Sequence, residues 1–156
     1  MKRSTAGSVW RSRWTKWAIL LLVVLVLAFA WVEASHIYYA GRTAQNAADA
    51  ATLAGMSELA RMLPGMEGSE DKIVEAMLDF ATRNGLAEGD TVAGYYLDAE
   101  GARLGLVGSG IPPDAGGIEG VVQVRATSPL TRFLGLKGWR ITRQADYSTW
   151  LPAFSP

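Results

Sequence analysis

The chain of 156 residues contains no cysteine and a single histidine, His36. Without cysteine there is no disulfide framework and no thiolate metal site. One histidine also excludes a histidine-based metal cluster, leaving only carboxylates, which suit hard cations. A protein without disulfides fits either side of a membrane, so the compartment stays open. A basic folded part is lacking too. The formal net charge is zero, yet residues 1–16 hold Lys2, Arg3, Arg11, Arg13 and Lys16 and no acid, while the other 140 residues carry all 15 acidic side chains and the remaining 10 basic ones. Nucleic-acid binders concentrate positive charge on the folded domain, so no nucleic-acid partner is expected. No nucleophile, base and orienting group stand at a recognisable spacing. No enzyme is expected, and no catalytic, metal or cofactor-binding residue is assigned.

What is present is one long stretch, residues 17–63, read as a single helix. Its first part, residues 17–32, is apolar without exception. At about 1.5 Å per residue this spans roughly 24 Å, a little short of a hydrocarbon core of about 30 Å. Ala34, Ile37, Tyr38 and Tyr39 extend it. Trp10, Trp14 and Trp17 before the run, and Trp31, Tyr38 and Tyr39 after it, form two aromatic belts that anchor the span. The cationic leader, residues 1–16, predicts a cytoplasmic amino terminus and an extracytoplasmic remainder. A cleaved leader is the competing reading, because residues 28–30 and 32–34 resemble small-residue cleavage sites. The length of the apolar run favours a retained anchor.

Beyond the span, Ile37, Ala40, Ala44, Ala47, Ala48, Ala51, Ala54 and Gly55 share one helical face, with Arg42, Gln45, Asn46, Asp49 and Thr52 opposite. Small residues let another backbone approach closely. Two readings stand: the face packs on the protein's own distal domain, or it is an interface for another helix, including that of a second copy in a homo-oligomer. Glu33 and His36 lie one turn apart near the lipid boundary, where a carboxylate usually finds a partner.

The stretch VEASHIYYAGRTAQNAADAATLAG, residues 32–55, resembles the signature of the TadE/TadG-like Flp pilus-assembly proteins, bacterial single-pass envelope proteins. Tyr38, Arg42, Gln45, Ala47, Ala48, Asp49, Ala50, Ala51, Leu53, Ala54 and Gly55 carry the likeness. Glu33, Ser35, His36 and Ala44 depart from it, standing where the family has Asp, Gly, Arg and Leu. The resemblance implies an inner-membrane component of a Flp/Tad pilus-assembly or secretion system, partnered by the bilayer and by other assembly proteins. Gly7-Ser8 lacks the following Glu of a type IV prepilin site, which leans the chain toward the TadG-like branch. That branch's longer members carry a von Willebrand A-like domain, for which this chain has no room.

The breaker cluster at residues 64–68 sets a boundary, and residues 69–156 are expected to form a small α+β domain of about four strands and two helices. Ser69 is placed as the cap of a helix with Ile73, Val74, Met77, Leu78 and Ala81 on its apolar face, ended by Asn84-Gly85. Strands are predicted over residues 91–97, 103–107, 118–127 and 139–150, with a short helix from Pro129 to Leu136. On the last strand, Trp139, Ile141, Ala145 and Tyr147 share a face interrupted by Arg143. The glycines of residues 108–117 have no phosphate-loop spacing and read as a turn. Asp146 and Ser148 begin a metal-adhesion pattern that Trp150 breaks. The expected function is a non-catalytic scaffold or minor pilin-like subunit whose helix, about 47 residues or roughly 70 Å, lifts the domain off the bilayer. A secreted ligand-binding module is the alternative, and a tethered hydrolase a weaker third.

Overall fold

A computed structural model describes residues 6–62 and 69–148, with side chains from residue 14 onward. One helix, α1 (Ala6–Met62), runs without interruption from the leader through the apolar segment into the domain. It starts about three turns earlier than expected, because residues 6–16 contain neither proline nor a capping stop. Leu63 and the breaker cluster lie outside the described residues.

After α1 come α2 (Glu70–Arg83), β1 (Thr91–Leu97), β2 (Arg103–Leu106), β3 (Gly117–Ala126), α3 (Pro129–Phe133) and β4 (Trp139–Ser148). The strands form one antiparallel sheet in the order β2-β1-β3-β4. This is the α+β class expected, with strand ends within a residue or two of the predicted ones; residues 149–150 lie outside the described part. The short helix stops at Phe133 rather than Leu136, since Gly135 takes a left-handed φ of +67° that ends a helix readily.

Both long helices cover one face of the sheet. Tyr96, Ile118, Val122 and Val124 point into a core completed by Ala44, Ala47, Ala48, Ala51, Met56 and Leu59 of α1 and by Ile73, Met77 and Ala81 of α2. Alternation along β3 follows the expected pleat, with Val122, Val124 and Ala126 buried between more open residues. Two expectations on α2 fail. Val74 and Leu78 are exposed, because α2 packs on both α1 and β1 through the narrower stripe of Ile73, Met77 and Ala81. Ser69 occupies the cap position in extended backbone but makes no side-chain cap bond. The opposite sheet face is uncovered and polar. There Arg103 stacks 4.2 Å from the Tyr95 ring centre and pairs with Glu119, whose side chain is nearly buried.

The domain therefore sits alongside the upper half of α1 rather than at its tip. The helix does not raise the domain by its full length; its last 20 or so residues are core.

Candidate interaction surfaces

The Ala-rich face is the seat of the sheet. Ala44, Ala47, Ala48 and Ala51 are fully buried and Ala54 nearly so, all within this one chain; Ala40 is half-buried against the same core. From Ala44 to Ala54 the face packs against β3, β4 and α2 of the same chain. Small residues are needed because the backbones approach closely. A Cβ built on Gly120 of β3 would lie 3.2 Å from the Ala48 carbonyl oxygen and 3.4 Å from the Thr52 amide nitrogen, with the Thr52 hydroxyl closer still. Gly55 is packed in the same way, with Met77 and Ile118 against it.

Thr52 does not belong to the polar face. It is buried, and its hydroxyl lies 2.8 Å from the Ala48 carbonyl oxygen and 3.1 Å from that of Ala145, donating to one or the other. A hydroxyl satisfied by a helix carbonyl can enter a core that pure 3.6-residue periodicity would deny it. Of the other polar motif residues, Gln45 reaches both Asp49, at 2.9 Å, and the Gln144 carbonyl oxygen of β4, at 3.4 Å. Arg42 bonds the Tyr38 hydroxyl at 3.4 Å. Arg42, Asn46 and Asp49 are exposed.

At the base of the domain, Trp139 Nε1 donates to Glu33 Oε1 at 3.1 Å, tying the first residue of β4 to the first charge after the apolar run. Among the described residues, Glu33 Oε2 is buried with no hydrogen-bond partner. His36 Nδ1 lies 2.9 Å from the Val32 carbonyl oxygen, and the Ser35 hydroxyl donates to that of Trp31. Both side chains thus fold back on α1, and His36 and Glu33, one turn apart, have separate partners. Trp17, Trp31, Tyr38 and Tyr39 are exposed, with Tyr38 and Tyr39 in edge contact.

The glycine-containing loop after β2 does cradle an anion, but it is the protein's own. Glu70 accepts from the Gly108 amide at 2.7 Å, the Gly110 amide at 2.9 Å and the Tyr96 hydroxyl at 2.9 Å. Burial pushes the Glu70 carboxyl up, and these three donors outweigh it, holding the group below its ordinary 4.5. Burial and the neighbouring carboxylate push the Tyr96 phenol well above its usual value. Locally Glu70 is no more than an acidic residue in the first turn of α2; its long-range partners, 26 to 40 residues away, leave no local signal. Beside this clamp, an apolar groove of about 210 Å³ is lined by Val74, Met77, Leu78, Val92, Ala93, Gly94, Leu106 and Val107. Among the described residues no group of three or more His, Asp or Glu could hold a metal ion. Asp146, on the open face of β4, stands apart from any such group.

One helix among the described residues is long and apolar enough to cross a membrane, and none of its most apolar window is buried by the domain. Residues 15–58 match the family model described as "Putative Flp pilus-assembly TadE/G-like". The helix carries a TadE/G-like segment. That segment contains the apolar run and nearly all of the sheet's seat. It includes none of the sheet itself. No curated protein and no solved structure matches the chain.

Proposed function

We propose that the protein is a non-catalytic, single-pass component of a Flp/Tad-type pilus-assembly or secretion system, acting as a scaffold or minor pilin-like subunit. Its amino terminus lies in the cytoplasm and its domain outside the inner membrane. The observation that carries this reading is the continuity of α1: a bare apolar segment passes without linker into a helix that is itself domain core. A span joined this way transmits position. Turning or lifting the helix turns the sheet with it, because separating them would expose the Ala seat and break the Thr52 and Gln45 bonds to β4. At about 1.5 Å per residue the helix rises roughly 44 Å from Glu33 to Met62, so the domain stands as a short column directly on the bilayer. Assembly partners meet its open sheet face and the α2–β2 groove rather than the Ala face.

Expression of the full chain in bacteria, with alkaline extraction of membranes, protease protection and intact mass, tests the anchor and its orientation. Photo-crosslinking from residues placed at exposed Arg125 on the open sheet face and at exposed Leu78 in the groove, in cells that carry the other assembly proteins, tests the partnership. The expected result is an uncleaved membrane protein captured with those partners. A soluble mature form beginning after Ala30 or Ala34 would instead establish the secreted module.

A further inference from the structure

The segment around the α3–β4 connection is the domain's most exposed apolar stretch. Phe133 is 87 % exposed and Leu136 59 %, and Leu134 and Trp139 are each more than half exposed. Four large apolar side chains within seven residues, all facing water, make a patch that core packing does not explain. The same stretch is cationic. Residues 127–145 hold Arg132, Lys137, Arg140 and Arg143 and no acid, in a domain that is otherwise net acidic. The connection is also built to project. Ser128 and Thr131 are buried and close a reciprocal capping box that fixes α3, and Gly135 and Gly138 turn the chain with φ of +67° and +82°.

Its place on the molecule is set by the Trp139–Glu33 bond. From there β4 climbs α1: a Cβ on Gly41 would touch the Arg143 guanidinium, Gln45 bonds the Gln144 carbonyl, and Thr52 lies against that of Ala145. The α3–β4 connection is thus at the foot of the domain, level with the point where the apolar run gives way to the first charge.

We infer that this connection is a second membrane contact: Phe133, Leu134 and Leu136 enter the lipid boundary of the bilayer that α1 crosses, while Arg132, Lys137 and Arg140 meet anionic phosphate headgroups. The inference rests on the reading of α1 as a membrane span. A lipid surface fits the pattern better than a protein groove does. Apolar and cationic residues interleave without acids, as in interfacial segments that insert about 5–10 Å into the headgroup region. Glu33, which holds Trp139, also lies between Trp31 and Tyr38 of the aromatic girdle along α1. A helix through the bilayer and a loop resting on it hold the domain at two points, which fixes its tilt as well as its height.

Because the chain has no cysteine, single-cysteine variants label cleanly. Full-length Leu136→Cys, Val26→Cys and Glu100→Cys, each carrying an environment-sensitive fluorophore, are reconstituted into phosphatidylcholine–phosphatidylglycerol vesicles containing shallow or deep quencher lipids. The label at 136 should shift to the blue and lose emission to the shallow quencher, that at 26 to the deep quencher, and that at 100 to neither. Loss at 136 should shrink when phosphatidylglycerol is omitted or when Lys137→Glu and Arg140→Glu are added. If the label at 136 stays unquenched while that at 26 is quenched, the loop contact is overturned and the span stands. If neither is quenched, the span reading falls and the loop contact with it. Shielding at 136 that needs added assembly proteins and shows no lipid quenching assigns the patch to a protein partner, which also overturns the inference.

Discussion

Replacing Gly120 by alanine tests how closely helix and sheet are held. The added methyl would lie 3.2 Å from the Ala48 carbonyl oxygen and 3.4 Å from the Thr52 amide nitrogen, both backbone atoms of a continuous helix. Neither can move without lifting α1 from β3. Overpacking of this kind costs about 1–3 kcal/mol, whereas removing a strand glycine returns about 0.5–1 kcal/mol of conformational entropy. The net expectation is a destabilisation of about 1–2 kcal/mol. It would be read from urea unfolding of the detergent-solubilised full chain and from faster hydrogen exchange at the β3 amides. The nearest obstacle is the Thr52 hydroxyl, so the two sites should couple. Thr52→Ala alone loses a buried hydrogen bond, about 1 kcal/mol, but in the Gly120→Ala background it also makes room. The double variant should therefore be more stable than the sum of the single changes predicts. An unchanged or raised unfolding midpoint for Gly120→Ala would refute the close approach, and strict additivity would show that the Thr52 hydroxyl is not the obstacle.

Gly94→Ala meets Met77 Cε and Sδ and Val107 Cγ2, each 2.8 Å from the new Cβ. These are ends of movable side chains, so the same unfolding assay should show a smaller loss than Gly120→Ala, below about 1 kcal/mol. Glu70 has a folded-state pKa below its ordinary 4.5. Its contribution is therefore complete above about pH 4.5 and is lost as the pH falls through the lower folded value. Glu70→Gln should remove that acid-side slope and loosen the Gly108–Gly110 loop, as followed by amide exchange against pH. Trp139→Phe keeps an aromatic side chain but removes the indole donor to Glu33. It should cost about 1 kcal/mol and raise exchange at the start of β4, leaving the far end at Ser148 unaffected.

Several features were readable locally because their cause is local. Sixteen uninterrupted apolar residues mark the span whatever follows them, and the absence of proline or a capping break carries the helix onward. The pleat of β3 is written in the alternation of Val122, Val124 and Ala126. The motif of residues 47–55 announces that a surface will come close, since only small residues permit it, but not which surface. Periodicity placed Thr52 with the polar residues because a hydroxyl counts as polar until a carbonyl is available to it. Val74 and Leu78 looked like core because a stripe of apolar residues cannot state how wide its partner is.

By itself the sequence determined a lipid-compatible rod, four strands, two shorter helices and a likeness to the TadE/G group. These follow from hydropathy, turn chemistry and spacing over a few residues. Only the tertiary structure decided that the Ala face belongs to the protein's own sheet, that Gly108 and Gly110 bind Glu70, and that Trp139 reaches Glu33. Each of these contacts joins residues 38 to 106 apart in the chain, so its energy is realised only when the sheet closes on the helix. The same closure brings the cationic, apolar α3–β4 connection to the foot of the domain, a position that no local pattern encodes.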